Sequence, residues 1–349
     1  MMQARQLGKE LYVGVHSDEE ILVNKGPTVM RLDERLTAVD ACKWSTKSVP
    51  DAPYVTDPKF MEKYGCKYVV HGDDITTDAN GNDCYQECKD LGIFVVVKRT
   101  PNISTTDLVG RMLLMGKSHH FKPISGDHKN HPLLSDDNIQ RFKSYATDET
   151  GLKPGSGVYL NNDDSVFELV TPSEHTANKL KRILYVDGGF DLFHPGHIEA
   201  LKVVYEEAQK TGCSVLLGIH DDATINKYKG LNYPIMNLFE RALCTLQCRY
   251  VDGIVLGAPY CPTQDFLNKL PGAVVGVYHG PTPLDSEDPY KEVGGLLKQI
   301  GDHKYDEMNT EFIVNRVLSN KLAYEERQRK KGWKSEHELR LLQQEQKRK

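Results

Sequence analysis

The sequence predicts an α/β protein built from two doubly wound domains in tandem, each with a parallel sheet. Three observations carry this. Near-continuous apolar segments of strand length alternate with stretches of helical spacing, the pattern of strands buried on both faces. The second half of the chain repeats the first in order. An apolar run, Ile183 through Val186, also meets two glycines and a short loop before a helical pattern resumes at Ile198. That junction is where a helix start offers open N–H groups and a positive dipole to an anion.

The elements run in this order. Residues 11–15 read as a strand, 32–44 as a helix, 68–71 and 93–97 as strands, and 104–114 as a helix that a Ser or Thr can cap. The repeat then sets in. Val13-Gly14-Val15-His16 answers Leu217-Gly218-Ile219-His220, and Lys25-Gly26 answers Lys229-Gly230. Met30, Leu32, Glu34 and Arg35 answer Met236, Leu238, Glu240 and Arg241. Ala52-Pro53-Tyr54 answers Ala258-Pro259-Tyr260, His71-Gly72 answers His279-Gly280, and Thr105 and Arg111 answer Thr310 and Arg316. The register places domains at 1–118 and 182–322, with a linker at 119–181 and a charged helical tail at 323–349. Within the linker, 158–160 and 166–170 flank Asn161-Asn162-Asp163-Asp164, a small hairpin. In the first repeat, the position that answers His197 falls upstream of Met1. The first domain is therefore expected to be N-terminally truncated, without its opening strand.

Composition narrows the class. With 349 residues, 27% charged and 39% hydrophobic, the chain is a globular protein long enough for two domains. A net charge of −5 argues against nucleic acid as a partner, which asks for a basic face. Eight cysteines without an apolar leader point to free thiols in a reducing, cytoplasmic setting. Cys84/Cys88 and Cys244/Cys248 have helical spacing and read as packing, so no metal site is expected. No run approaches the roughly 18 apolar residues of a membrane helix. Trp333, Leu339, Leu341 and Leu342 in the basic tail allow at most weak peripheral contact with an anionic surface, such as that of the endoplasmic reticulum. A homodimer is a further expectation.

Chemistry concentrates at 185–197. His194 and His197 stand three apart in H-x-G-H, directly after Gly188-Gly189-Phe190-Asp191. Imidazoles donate hydrogen bonds near neutral pH whether charged or not, which suits phosphate oxygens. Lys229 adds a point charge on a flexible stem. His16 and His220 match one another and read as structural.

G-x-F-D-x-x-H-x-G-H, with Lys229-Gly230, the stretch 234–241, Cys248-Arg249-Tyr250-Val251-Asp252 and the run from Arg99 to Thr106, resembles the cytidylyltransferase family of nucleotidyltransferases. The resemblance implies two tandem Rossmann-like nucleotidyltransferase domains. Two such domains, without a long membrane helix, imply a reaction of CTP with phosphoethanolamine in phospholipid biosynthesis, with Mg²⁺ accompanying CTP. Catalytic roles fall to His194, His197 and Lys229. Nucleotide contacts fall to Gly188, Gly189, Phe190, Asp191, His279, Gly280, Asn309 and Thr310. In the first repeat they fall to Lys25, His71, Gly72, Arg99, Ser104, Thr105 and Thr106. Asp73, Asp74 and Trp44 are candidates for the substrate's ammonium group. H-x-G-H occurs once in this chain, and the run from Arg99 to Thr106 is degraded at its second-repeat counterpart, 304–310. Two alternatives therefore stay open: a non-catalytic, CTP-binding regulatory form, and a transferase for phosphocholine or glycerol 3-phosphate.

Overall fold

The computed structural model describes the chain except residues 101–104, 125–129, 163, 281–287, 328, 330, 331 and 333–349. It divides into two compact units. The first comprises Met1–Asp40, Ser45–Leu113 and Glu311–Lys349, and the second Ala41–Trp44 and Leu114–Thr310. The boundaries differ from those of the repeat at two places. The stretch read as a linker is part of the second unit. The helix Thr310–Ser319, which closes the second repeat, belongs from Glu311 onward to the first unit. Among the described residues, no helix is long and apolar enough to cross a membrane.

The first unit holds two separate parallel strand pairs. β1 (Tyr12–Val15) pairs with β2 (Lys47–Pro50), and β3 (Val69–Gly72) pairs with β4 (Phe94–Val97). Helices that accompany them include Asp18–Lys25, capped by the Ser17 side chain, Leu32–Ala41 and Thr105–Leu114. The helix expected over 32–44 stops at Ala41. Cys42 there leaves to form an antiparallel bridge with Cys248, with Lys43 N–H donating to Gln247 O and Arg249 N–H to Ala41 O.

The second unit is built on one seven-stranded sheet. Its strands are β5 (Gly157–Asn162), β6 (Ser165–Val170), β7 (Arg182–Gly188), β8 (Ser214–Ile219), β9 (Gly253–Leu256), β10 (Ala273–His279) and β11 (Leu297–Gln299). The order is β11-β10-β7-β8-β9-β5-β6, parallel throughout except for the β5–β6 hairpin on one edge. The core explains the apolar runs: Ile183, Tyr185, Leu216, Val255 and Val277 are all fully buried. From β7 the chain first builds outward on one side, through β8 and β9, then returns to β7's other side as β10. The crevice beyond the carboxyl ends of β7 and β10 is thus the topological switch point, where open parallel sheets bind ligands.

This order also explains the first unit. Through the repeat, β1 and β2 answer β8 and β9, and β3 and β4 answer β10 and β11. In the second unit β7 joins those pairs. The first unit, among its described residues, has no such strand, and its sheet is left as two pairs. Each pair lacks the central neighbour that would join it to the other.

Candidate active site

The site begins where β7 ends. After Gly188 and Gly189 the backbone passes through the left-handed region at Phe190 (φ 49°) and Leu192 (φ 57°), unusual for residues with a side chain. Asp191, between them and buried, holds this turn. Its carboxylate accepts from Leu192 N–H (3.0 Å), Ile235 N–H (2.7 Å) and Met236 N–H (2.9 Å), and Thr310 Oγ1 donates to its carbonyl (3.1 Å). Burial raises the pKa of Asp191, opposed by those amide donors. Arg241, 0% exposed, ties the neighbouring loops together. It donates to Gly189 O (2.7 Å), His220 O (2.8 Å), Met236 O (3.0 Å) and Asp222 Oδ1 (2.7 Å). Only a guanidinium has donors enough, in a fixed fork, for four such bonds.

His194 is the N-cap of the helix Pro195–Thr211, whose first residue is a proline suited to that position. Its backbone N–H donates to His197 Nδ1 (3.3 Å), so the proton of the neutral His197 ring lies on Nε2. The two rings stack with centroids 3.7 Å apart. Burial, and secondarily the charge of Lys229, lowers the His194 pKa to about 3. Burial, the neighbouring His194 and Lys229 hold His197 well below its ordinary value. Both rings are neutral. Neither ring nitrogen of His194 meets a hydrogen-bond partner among the described residues. A buried imidazole without partners costs stability, and such groups mark positions that a ligand completes.

Glycine is required between the histidines. A Cβ at Gly196 would lie 2.5 Å from Met308 O and 2.9 Å from Tyr305 O. The chain at 305–308 therefore packs directly on the helix start and delivers Thr310, buried, to Asp191, with Asn309 exposed beside it. Lys229 is exposed at the end of the helix Asp222–Lys229, its Nζ 5.9 Å from the centre of the Tyr233 ring. Across the switch point, β10 ends at His279, followed by Gly280. His279 Nδ1 lies 3.1 Å from Tyr290 Oη, and Tyr290 donates to Asp187 Oδ1 at 2.5 Å. Asp187 is buried at the end of β7, and burial pushes its pKa up to about 7. Its Oδ2 has no hydrogen-bond partner among the described residues.

Gly188, Gly189, Phe190, Asp191, His194, His197, His279 and Thr310 thus gather at one switch point, with the charge of Lys229 acting on both histidines. Reading the sequence missed Asp187, Tyr290 and the tying role of Arg241. The signal for Asp187 was present: an acid inside an otherwise apolar strand end, next to Gly188.

The first unit places its candidates differently. Lys25 is exposed, with Nζ 5.5 Å from the centre of the Tyr54 ring. His71 donates from Nδ1 to Gly72 O (3.3 Å) and packs on Tyr85, centroids 4.7 Å apart. Asp73 accepts from Arg99 N–H (3.0 Å), and Asp74 pairs with the Arg99 guanidinium (2.9 Å). All three are exposed, and the acids already serve the arginine. Thr105 and Thr106 open the helix Thr105–Leu114, and Ser104 lies outside the described residues. Trp44 requires a correction. It is 2% exposed in the second unit's core, donates from Nε1 to Asp148 O (3.2 Å) and packs edge-on to Tyr145. The ring already carries the chain's own ammonium, Lys43 Nζ 5.3 Å from its centre, and its burial leaves no room for a substrate's. Among the described residues, no three His, Cys, Asp or Glu side chains group to hold a metal ion.

A parallel sheet whose switch point carries paired imidazoles, a lysine and a glycine-lined turn defines an α/β enzyme fold for nucleotide transfer. The chain belongs to the cytidylyltransferase-like family, whose model matches residues 1–111 and 185–313. It is 40% identical to the ethanolamine-phosphate cytidylyltransferase of Mus musculus, over 95% of this chain and 84% of the mouse protein. It is also 40% identical to the enzyme of that name from Dictyostelium discoideum, over 95% of this chain and 89% of the relative. Choline-phosphate cytidylyltransferase A of Mus musculus matches at 37% identity over only 32% of this chain and 31% of its own length. Among solved structures, a lipopolysaccharide core biosynthesis protein from Thermoplasma volcanium aligns over 35% of this chain and 98% of its own at 20% identity, with a TM-score of 0.28, too low to carry an argument.

Proposed function

We propose that this chain transfers the cytidylyl group of CTP to phosphoethanolamine, giving CDP-ethanolamine and pyrophosphate, and that the second unit carries the chemistry. The observation that carries the site assignment is the buried, neutral His194–His197 pair with unpartnered nitrogens on His194 at the switch point. A phosphate oxygen of phosphoethanolamine attacks the α-phosphorus of CTP. The bond to the β-phosphate oxygen breaks, and pyrophosphate leaves with the electron pair. No covalent enzyme intermediate is needed, so catalysis is positioning plus stabilisation of phosphate charge.

His197 donates from Nε2 and His194 from its protonated ring nitrogen to the phosphate oxygens as charge builds. Lys229 adds its charge from the side. Gly188 and Gly189 let the backbone approach the nucleotide. Phe190, Asp191, His279, Gly280, Asn309 and Thr310 frame it. The free oxygen of Asp187, beside Tyr290, suits the substrate ammonium better than the exposed Asp73 and Asp74, because a buried acid near neutral pKa gains most from a cation. Lys25, His71, Gly72, Arg99, Ser104, Thr105 and Thr106 are read as a nucleotide-facing set of the first unit. CTP is taken to enter with Mg²⁺, which neutralises phosphate charge.

The test is pyrophosphate release by the 349-residue chain with CTP and phosphoethanolamine. His194→Ala is expected to abolish turnover while calorimetry still detects CTP binding. Turnover that survives the substitution would sink the assignment to this unit. Phosphocholine as competing substrate tests the choice of alcohol. Sedimentation velocity and flotation with anionic vesicles test the proposed homodimer and the proposed weak membrane contact of the tail.

A further inference from the structure

The loop that follows Lys229 is fastened by the chain just beyond the last helix of the first repeat. Residues 117–121 lie directly after the helix Thr105–Leu114 and make their contacts on one segment. Lys117 Nζ donates to Asn226 Oδ1 (3.0 Å). His119 Nε2 and His120 Nε2 both meet Pro234 O, at 2.9 and 2.8 Å. Phe121 N–H donates to Asp222 Oδ2 (2.8 Å), the carboxylate that also holds Arg241. A carbonyl oxygen only accepts, so both histidines carry a proton on Nε2. Asn226 in turn donates to Gly230 O, Leu231 O and Tyr233 O at 3.3, 3.1 and 2.6 Å. The fastened segment thus begins at the helix bearing Lys229 and ends one residue before the amides that hold Asp191.

The first unit shows the reciprocal arrangement. The loop after Lys25-Gly26 presents three successive carbonyls, and each is taken by the last helix of the second repeat or by residues just beyond it. Arg327 Nη1 donates to Pro27 O (2.5 Å), Tyr324 Oη to Thr28 O (2.7 Å) and Arg316 Nη1 to Val29 O (3.0 Å). Each lysine loop is therefore held by the last helix, or the residues just beyond it, of the other repeat.

We propose that His119 and His120 are positioning residues for Lys229, so that the second unit's site depends on the chain just beyond the last helix of the first repeat. The inference rests on the catalytic reading of Lys229. Lys229 is exposed, sits at a helix end, and is followed by Gly230 at φ 68° and Leu231 at φ 44°. Asn226 fixes the near side of this junction, and the two imidazoles hold the Pro234 carbonyl on its far side. Losing the far-side bonds matters because misplacing a charge by about 1 Å can cost on the order of 100-fold in rate.

The test uses the full chain and a four-cornered cycle: wild type, His119→Ala/His120→Ala, Lys229→Ala, and all three together. The histidine pair is expected to lower kcat about 10-fold or more, through misplacement of the lysine charge, with Tm lowered by only a few degrees for the two lost hydrogen bonds. Glutamine at both positions, which places an N–H near Nε2, is expected to restore most of it. In the Lys229→Ala background the histidine changes are expected to add nothing, because they act through the same charge. Losses that simply multiply, or an unchanged kcat in the double variant, overturn the proposal. Full activity of Lys229→Ala overturns instead the underlying reading of Lys229. Should the double alanine variant not fold, the two single variants, each keeping one bond to Pro234 O, complete the same cycle.

Discussion

Arg241 and Arg35 occupy equivalent positions in the two units, and the difference between them separates scaffold from site. Arg35 donates to Met30 O (3.1 Å), His16 O (2.8 Å) and Asp18 (2.6 Å). Arg241 makes the same three bonds, to Met236 O, His220 O and Asp222, and adds a fourth to Gly189 O. His16 meets Ala52 O at 2.9 Å, and His220 meets Ala258 O at 3.0 Å. The duplicated scaffold is thus preserved to single hydrogen bonds, and His16 and His220 belong to it. Among the described residues, the strand β7 with its Asp187, the left-handed turn after it and the paired imidazoles are not duplicated. Among the described residues, the switch point is built in the second unit.

The largest expected effect breaks the comparison at the histidines. His194→Ala or His197→Ala should lower kcat by at least about 100- to 1,000-fold, the range for losing a donor to a developing oxyanion. His16→Ala should leave kcat within a few-fold. Pyrophosphate release measures both.

Next comes the arginine pair. Arg241→Ala strands the carboxylate of Asp222, with both side chains fully buried, and should destabilise by about 3–5 kcal/mol. Arg35→Ala breaks a partly exposed pair, with side chains 20% and 35% accessible, and should cost no more than about 1 kcal/mol. Urea unfolding of the two variants decides whether burial, rather than bond count, sets the difference.

Smaller effects should appear in the pH dependence, with opposite signs. His194 titrates lower in the folded state than in the unfolded, where about 6.5 applies, so its contribution is whole above that value. It is lost as pH falls from there toward about 3. His194→Gln should flatten that acid limb. Asp187 titrates higher when folded, at about 7. Its contribution is therefore whole below the unfolded value near 3.9 and is lost as pH rises toward 7. Asp187→Asn should gain on the wild type across that window, measured as urea midpoints at several pH values. The smallest effect belongs to the first unit. The Arg99–Asp74 pair is about half exposed, and Asp74→Asn should change stability by less than about 1 kcal/mol.

Much of the fold was legible because parallel strands carry apolar runs, which marked 68–71, 93–97 and the run before Gly188, although only the last is fully buried and Tyr68 and Val96 are exposed. The H-x-G-H stretch was legible because its chemistry is local: a strand, a turn and a helix start within a dozen residues. β2 was not, since Lys47–Pro50 is exposed at both ends, opens on a lysine and a serine and closes on a proline. The helix expected over 32–44 overran, because a distant strand-like partner at Cys248 claims Cys42. Trp44 was misplaced as an ammonium ligand for a related reason: its ring faces are set by Tyr145 and by the core, a hundred residues along the chain.

The sequence by itself determined the duplicated α/β plan, the strand-to-helix turn at 188–197 and the histidines that cap it, since each depends on neighbours in the chain. Only the tertiary structure decided which groups share a site. It brought Asp187, Tyr290 and His279 into one line across β7 and β10, set the 305–308 backbone against Gly196, and laid His119 and His120 on the loop of Lys229. Contacts between distant segments arise from the order in which strands join the sheet, and that order is fixed by burying all their apolar faces at once.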